Sequence, residues 1–377
     1  MLKSFAPLLI GFLVTITMML VLRPLAVHLR LIDVPGGRKT HAGDVPVIGG
    51  IAIFLGLLAA VQAIDPVGRG DASLLVAAGL MCVVGSMDDR FDLPPHVRIL
   101  AHIAAVMTFV LASGYTVESL GNLLGLGSIG LGPLEFVFTV VAAIALINGL
   151  NMLDGLDGLA GGVALIAVIG LSIIFATYGP FNALVVSLAL VGSLTAFLIF
   201  NLPAAFNRPV LVFMGDAGST LLGFLLAGLA LFAVQPDNGR ISPVIILWLL
   251  PVPILELFTS TFRRAVTGLS PMTADRGHFH YRLLDAGFSV RSVFILYIVT
   301  SAISALVGIC AWAIDVSDTR LFFGFLGFSA VWLLCVGNAK RIAVHLPKSL
   351  KRRKFHTLRR QPRGSADPAS APSAENS

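Results

Sequence analysis

In the stretch NGLNMLDGLDGLAGG, Asn148, Asn151, Asp154 and Asp157 recur three residues apart, with long apolar runs on either side. Polar groups are costly there, and amides with carboxylates are what a hydrated cation or a nucleotide needs. Residues three apart share a helix face. Successive steps nevertheless drift by about 60° around a regular helix of 3.6 residues per turn, so a helix end that unwinds or tightens is needed to aim all four together. The competing assignment is an Asx-rich turn that hydrogen-bonds its own backbone.

Four further clusters carry comparable chemistry. GSMDDRFDL crowds Asp88, Asp89 and Asp92 into five residues. Mutual repulsion raises at least one of their pKa values unless a cation sits among them, and magnesium with phosphate is the economical choice. Arg90 and Arg98 are close enough in sequence to neutralise the cluster without a metal. In VLVFMGDAGST, Asp216 opens an apolar run and suits either an N-cap or a metal ligand beside a helix N-terminus that attracts phosphate oxygens; Asn201 opens the same connection. FRRAVTGLSPMTADRGHFHYR gathers Arg263, Arg264, Asp275, Arg276, His278, His280, Tyr281 and Arg282. Two histidines two apart lack a third ligand at zinc-enzyme spacing, so arginine with histidine fits phosphate better. Near the start, Arg38, Lys39 and His41 suit a phosphate, a topological anchor or anionic lipid equally.

The elements that position these groups are membrane helices. Of the 377 residues 56% are hydrophobic and 12% charged, against roughly 25% charged in soluble domains. Runs long enough to span occur at about 5–22, 47–64, 73–87, 99–117, 133–150, 160–177, 181–200, 217–234, 241–260, 292–314 and 320–338. The expected fold is therefore an all-α polytopic membrane protein of about eleven transmembrane helices, its active site formed by cytosolic loops. The first run continues into Arg23-Pro24 without a small-residue cleavage site and reads as a retained helix. Cys82, Cys310 and Cys335 are scattered through apolar runs and form no metal or disulfide pattern.

All but Lys3, Arg69, Arg240 and Arg320 of the 26 Lys and Arg fall in alternate connections or the C-terminal tail. The positive-inside rule then puts the N-terminus outside and the C-terminus in the cytosol. The net charge of +6 thus reflects topology, and no nucleic-acid partner is expected. Residues 1–338 read as the membrane-embedded domain, 339–363 as a basic juxtamembrane segment and 364–377 as a disordered tail.

With eleven spans the DD, NxxDxxD, GDAGS and DRGHFH connections all emerge on the cytosolic side, where independent turns would scatter over both faces. Carboxylates for magnesium, cations for phosphate and contact with the bilayer describe phosphoryl transfer between a soluble nucleotide and a membrane lipid, which depends mainly on positioning and charge neutralisation. An ion-coupled transporter using Glu135, His102 and Glu256 is the rival from another class, but its site belongs near the midplane between repeats. The polar groups here sit in connections, and no internal repeat is visible.

GSMDDRFDL, NGLNMLDGLDGLAGG, FNLPAAFNRPVLVFMGDAGST and RRAVTGLSPMTADRGHFHYRLL together resemble the signatures of the MraY-related polyprenyl-phosphate N-acetylhexosamine-1-phosphate transferases, and within them the WecA branch. The resemblance implies transfer of GlcNAc-1-phosphate from UDP-GlcNAc to undecaprenyl phosphate in the bacterial inner membrane, releasing UMP and starting O-antigen, enterobacterial common antigen or a similar glycan. By the same resemblance Asp216 is the main magnesium ligand, manganese being an alternative ion, and Asp88 and Asp89 face the metal and the lipid phosphate. Asp154 and Asp157, with Asn151 and Asn201, line the nucleotide site; His278 and His280 meet the diphosphate or sugar with Arg264 and Arg276; Lys39 helps to hold phosphate. The expected partners are a UDP-sugar, undecaprenyl phosphate and membrane lipid, with a homodimer as the assembly kept in view. Where the branch often reads HxHH, Tyr281 follows His280, which keeps other UDP-N-acetylhexosamines and UDP-MurNAc-pentapeptide open as donors.

Overall fold

The computed structural model describes residues 2–33, 44–64, 69–202, 209–235, 241–268 and 277–344, together with 347 and 350. Lys39, Arg276, residues 351–377 and with them the proposed tail lie outside the described residues.

The apolar runs form helices in the expected order. A long first helix, α1 (Leu2–Leu29), is followed by a two-residue antiparallel hairpin, β1 (Ile32–Asp33) with β2 (Val45–Pro46). Then come α2 (Gly49–Ile64), α3 (Arg69–Phe91), α4 (Pro95–Ser113), α5 (Glu135–Leu153), α6 (Leu159–Tyr178), α7 (Phe181–Asn201) and α8 (Gly215–Val234). The chain continues through α9 (Pro243–Leu249), α10 (Pro251–Val266), α11 (Phe279–Asp285), α12 (Val290–Ala313), α13 (Asp318–Gly337) and the short α14 (Ala339–Val344).

Among the described residues nine helices are long and apolar enough to cross a membrane, ten if the α9/α10 pair is one bent span. The eleventh expected span is α2. Its 16 residues give about 24 Å at 1.5 Å per residue, short of the roughly 30 Å hydrocarbon core. The multi-pass architecture stands, and the count of eleven is not reached by length.

Helix α8 is the axis of the bundle, with nearly every residue from Ala217 to Ala233 buried. Around it pack α2, α3, α5 and α6. Close approach is built in at Gly85, where a Cβ would collide with the backbone of Ala217. Large apolar side chains such as Leu111, Val141 and Phe262 remain outward on other helices, as a lipid-facing surface requires.

The break between α9 and α10 bends the chain by 85°. Pro251 and Pro253 lack the N–H groups that would continue the ladder, and Leu250 at the corner leaves helical geometry with φ −124° and ψ 38°. The freed Trp248 carbonyl accepts from Ser304 Oγ of α12 at 2.8 Å, the repair that irregular backbone needs inside a membrane. The bend swings Glu256 and Arg264 toward the end of the bundle where α3, α5 and α7 finish and α4 and α8 begin.

Candidate active site

Five helix ends meet there. The NxxDxxD stretch obeys neither simple expectation: α5 runs through Leu153, and Asp154 to Gly158 form turns before α6 starts. The reversal is possible because Gly158 takes φ +75°, which costs glycine little. The four polar residues are consequently divided. Asn151, still helical, points to α8, donating from Nδ2 to Asp216 Oδ1 at 2.6 Å and to Ser219 Oγ at 3.0 Å. Asn148, a turn earlier, shares the cavity wall and also donates to the Ile144 carbonyl. Asp154, at the end of α5, opens into the same cavity.

Asp88 and Asp89, adjacent on α3, do different work. Asp88 is buried, accepting the Leu93 N–H at 2.8 Å on Oδ1 and Arg98 Nη1 at 2.9 Å on Oδ2. The same Nη1 stands 4.0 Å from Asp216 Oδ2, so one guanidinium nitrogen lies between two carboxylates. Asp89 accepts the N–H groups of Asp216 (2.8 Å) and Ala217 (3.1 Å). It thus caps α8 from a neighbouring helix. This corrects two expectations about Asp216: it lies in the first turn of α8 without being its N-cap, and two N–H groups offered there to phosphate are already taken.

These groups open on a cavity of about 530 Å³, lined by Asp88, Arg98, Asn151, Asp154, Arg264 and His278 among others. Burial first, then the negative charges of Asp216, Asp89 and Asp157, push the Asp154 carboxyl well above the usual carboxylate range. Asp157 is near enough for its charge to bear on Asp154, but it does not line the cavity wall. Asn201 stands behind the wall as a strut. It accepts the Gly158 N–H at 2.6 Å and donates to the Val212 carbonyl at 2.9 Å, joining the NxxDxxD turn to the strand-like approach to α8.

The histidine segment is organised by Glu256, which the sequence suggested only as part of a transport path. Fully buried on α10, Glu256 accepts the Phe279 N–H at 2.8 Å and the Tyr297 hydroxyl at 3.1 Å, with His280 Nδ1 at 3.3 Å and His278 Nδ1 at 3.7 Å. The two imidazoles stack 5.7 Å apart. His278 faces the cavity, whereas His280 is fully enclosed behind it. Tyr281 also lines the cavity and donates its hydroxyl to the Gly155 carbonyl at 3.3 Å, fastening the HFHY segment to the NxxDxxD turn. The three groups of the transport alternative do not form a path: Glu135 pairs with Thr116 at the start of α5, while Glu256 and His102 belong to the far end.

Truncating Glu256 leaves the Phe279 N–H and Tyr297 hydroxyl buried without acceptors, and hydrogen bonds to a charged group are each worth about 1.5–3 kcal/mol. Glu256→Ala should therefore lower the thermal midpoint in detergent by several degrees and cost activity, with Glu256→Gln intermediate because it keeps an acceptor oxygen. Equal midpoints for all three proteins would show that the carboxylate organises nothing.

A cluster of polar groups assembled from four separate connections is a property that relatives should share. The curated undecaprenyl-phosphate alpha-N-acetylglucosaminyl 1-phosphate transferase of Yersinia pestis is 31% identical over 91% of this chain and 93% of its own length. The proteins of the same name from Haemophilus influenzae and Escherichia coli K12 are 33% and 31% identical, over 92% and 94% of this chain and 97% and 95% of theirs. This chain belongs to that transferase family. The profile of glycosyl transferase family 4 also matches residues 72–234, the segment from α3 to the end of α8 that carries Asp88, Asp89, Asn151, Asp154 and Asp216. Arg98, Glu256 and Tyr297 are the participants that motif reading undervalued. Arg98's ten-residue separation from Asp88 was the available signal; Glu256 and Tyr297 gave none, because their partners lie on other helices far along the chain.

Proposed function

We propose that the protein transfers GlcNAc-1-phosphate from UDP-GlcNAc to undecaprenyl phosphate, giving undecaprenyl-diphospho-GlcNAc and UMP. The observation that carries this reading is the junction of two cavities. The polar one meets an apolar cavity of about 410 Å³ between α4, α5, α8 and α10, and Ala145 and Leu257 border both. A soluble nucleotide sugar fits the first and a polyprenyl chain the second, bringing the two phosphates together where they meet. Relatives named for this same reaction, matching over nearly their full length, support the choice of substrates.

In this reading an oxygen of the acceptor phosphate attacks the sugar-bearing phosphorus of the donor in line, the bond to the bridging oxygen breaks, and UMP leaves with that oxygen. The second pKa of a phosphate monoester is about 6, so the acceptor is mostly dianionic at neutral pH and needs no strong base. Asp88 has both oxygens engaged, by the Leu93 N–H and by Arg98. This favours direct attack over a covalent intermediate on Asp88 and assigns that residue to orienting the acceptor through Arg98. Arg98 and Arg264 neutralise the phosphates, and His278, aligned by Glu256, meets the diphosphate or sugar.

Among the described residues no three His, Cys, Asp or Glu surround one point as a metal cage. Magnesium needs none: it binds through one or two carboxylates plus substrate phosphates, and Asp216, 4.0 Å from Arg98 through Oδ2, would supply one, while Asp88, its oxygens held by the Leu93 N–H and Arg98, would stay beside it as the partner of Arg98. Magnesium held there would neutralise charge on the transferring phosphoryl group.

The site end of the bundle is assigned to the cytosol, with the N-terminus outside and the protein in the bacterial inner membrane, because the described cations Arg23, Arg30, Arg90, Arg98, Arg263, Arg264, Arg282 and Arg291 gather at that end.

The test is UMP release by purified protein with undecaprenyl phosphate and a panel of UDP-sugars, with and without magnesium. Turnover of UDP-GlcNAc that requires lipid and metal is expected. Turnover of another UDP-N-acetylhexosamine alone would replace the donor, and metal-independent turnover would remove magnesium from the account.

A further inference from the structure

The face of α4 that borders the site changes character along its length. Arg98 and His102, one turn apart, line the polar cavity. Val106, Phe109 and Val110 continue the same face at helical spacing and line the apolar one. His102 is thus the last polar side chain on this wall before the hydrocarbon lining begins. It is 6% exposed, and its Nδ1 is buried without a hydrogen-bond partner among the described residues. Nε2 is not enclosed in this way and is the ring nitrogen open to the cavity, with a donor or acceptor to offer a ligand there.

We infer that His102 is an acceptor-binding residue: with its proton on Nε2 it donates a hydrogen bond to a phosphate oxygen of the polyprenyl phosphate. The head group is thereby held beside Arg98 while the first isoprene units lie along Val106, Phe109 and Val110. The inference rests on the reading of the reaction given above and adds a contact to it. A group at the polar–apolar boundary meets a ligand that is charged at one end and apolar from there on. The acceptor has that form, whereas the nucleotide sugar is polar throughout. Arg98 supplies the charge, and the neutral imidazole supplies direction, because a ring N–H on a short side chain fixes where the oxygen must stand.

The test uses the full chain in detergent, with His102→Leu and with His102→Gln, whose amide nitrogen stands near the position of Nε2. Two measurements are made on each: stabilisation of the protein by undecaprenyl phosphate alone, read as a shift in thermal midpoint, and initial rates with each substrate varied. For His102→Leu the KM for undecaprenyl phosphate should rise about 10-fold or more, the worth of one hydrogen bond to a charged group. Its lipid-induced midpoint shift should shrink, while the KM for UDP-GlcNAc stays within about twofold; His102→Gln should recover most of both acceptor effects. A rise confined to the UDP-GlcNAc KM, or unchanged acceptor binding and KM in both variants, would overturn the assignment, as would equal losses in His102→Leu and His102→Gln. Wild-type protein that is stabilised by the lipid yet does not turn over UDP-GlcNAc would refute the donor reading and leave the His102 comparison to be decided by the stabilisation measurement.

Discussion

Asp216→Asn should reduce magnesium-dependent UMP release by about 10³-fold or more, the scale on which removing preorganised charge stabilisation acts, without unfolding the protein. Asparagine preserves the carbonyl oxygen that accepts from Asn151 Nδ2, the 2.6 Å bond tying α5 to α8. It also leaves the backbone N–H of residue 216 on Asp89. What disappears is one negative charge among Asp88, Asp89 and Asp154. Relieving that repulsion should hold the thermal midpoint of the metal-free variant at or above that of the wild type, while the stabilisation that magnesium gives the wild type is lost. Opposite signs for stability and activity are the signature of a ligand residue held in place at a cost. A variant within about 10-fold of wild-type activity at the same magnesium concentration would take Asp216 out of the metal site.

How far the site was legible in the sequence depends on the kind of contact. Spans were readable because each is set by its own run of apolar residues, and α2 fell short where Gly49 starts the helix only after the hairpin has ended. The convergence of the motifs was readable too, since the parity of membrane crossings forces alternate connections to one side. Division of labour within a motif was not. Asp88 and Asp89 are neighbours of one residue type, and only the packing of α3 against α8 sends one to Arg98 and the other to the cap of α8. Asn201 carries the same ambiguity: as a letter it is a nucleotide contact or a strut, and its bonds to Gly158 and Val212 make it a strut. Glu256 was misread because isolated carboxylates in membrane helices suggest ion pathways, whereas its partners come from α11 and α12, far along the chain.

Arg98 offers the sharpest separation of structural from catalytic roles. Breaking a fully buried ion pair costs about 3–5 kcal/mol. Asp88 is 4% exposed and Arg98 35%, so solvent screening on the arginine side brings the expected loss for Arg98→Gln nearer to ~2 kcal/mol. Activity should fall by about 10²-fold or more, because the guanidinium also offers the donors that would meet phosphate oxygens, and Arg98→Lys should recover part of it as a point charge without the fork. The decisive protein is the double variant Arg98→Gln with Asp88→Asn. With no buried carboxylate left unpaired, its thermal midpoint should return most of the way to the wild type, whereas its UMP release should stay as low as that of Arg98→Gln or fall further. Recovery of both would mean that Arg98 serves only to neutralise Asp88. Recovery of stability alone would place the guanidinium on the substrate phosphates, with Asp88 as the group that holds it there.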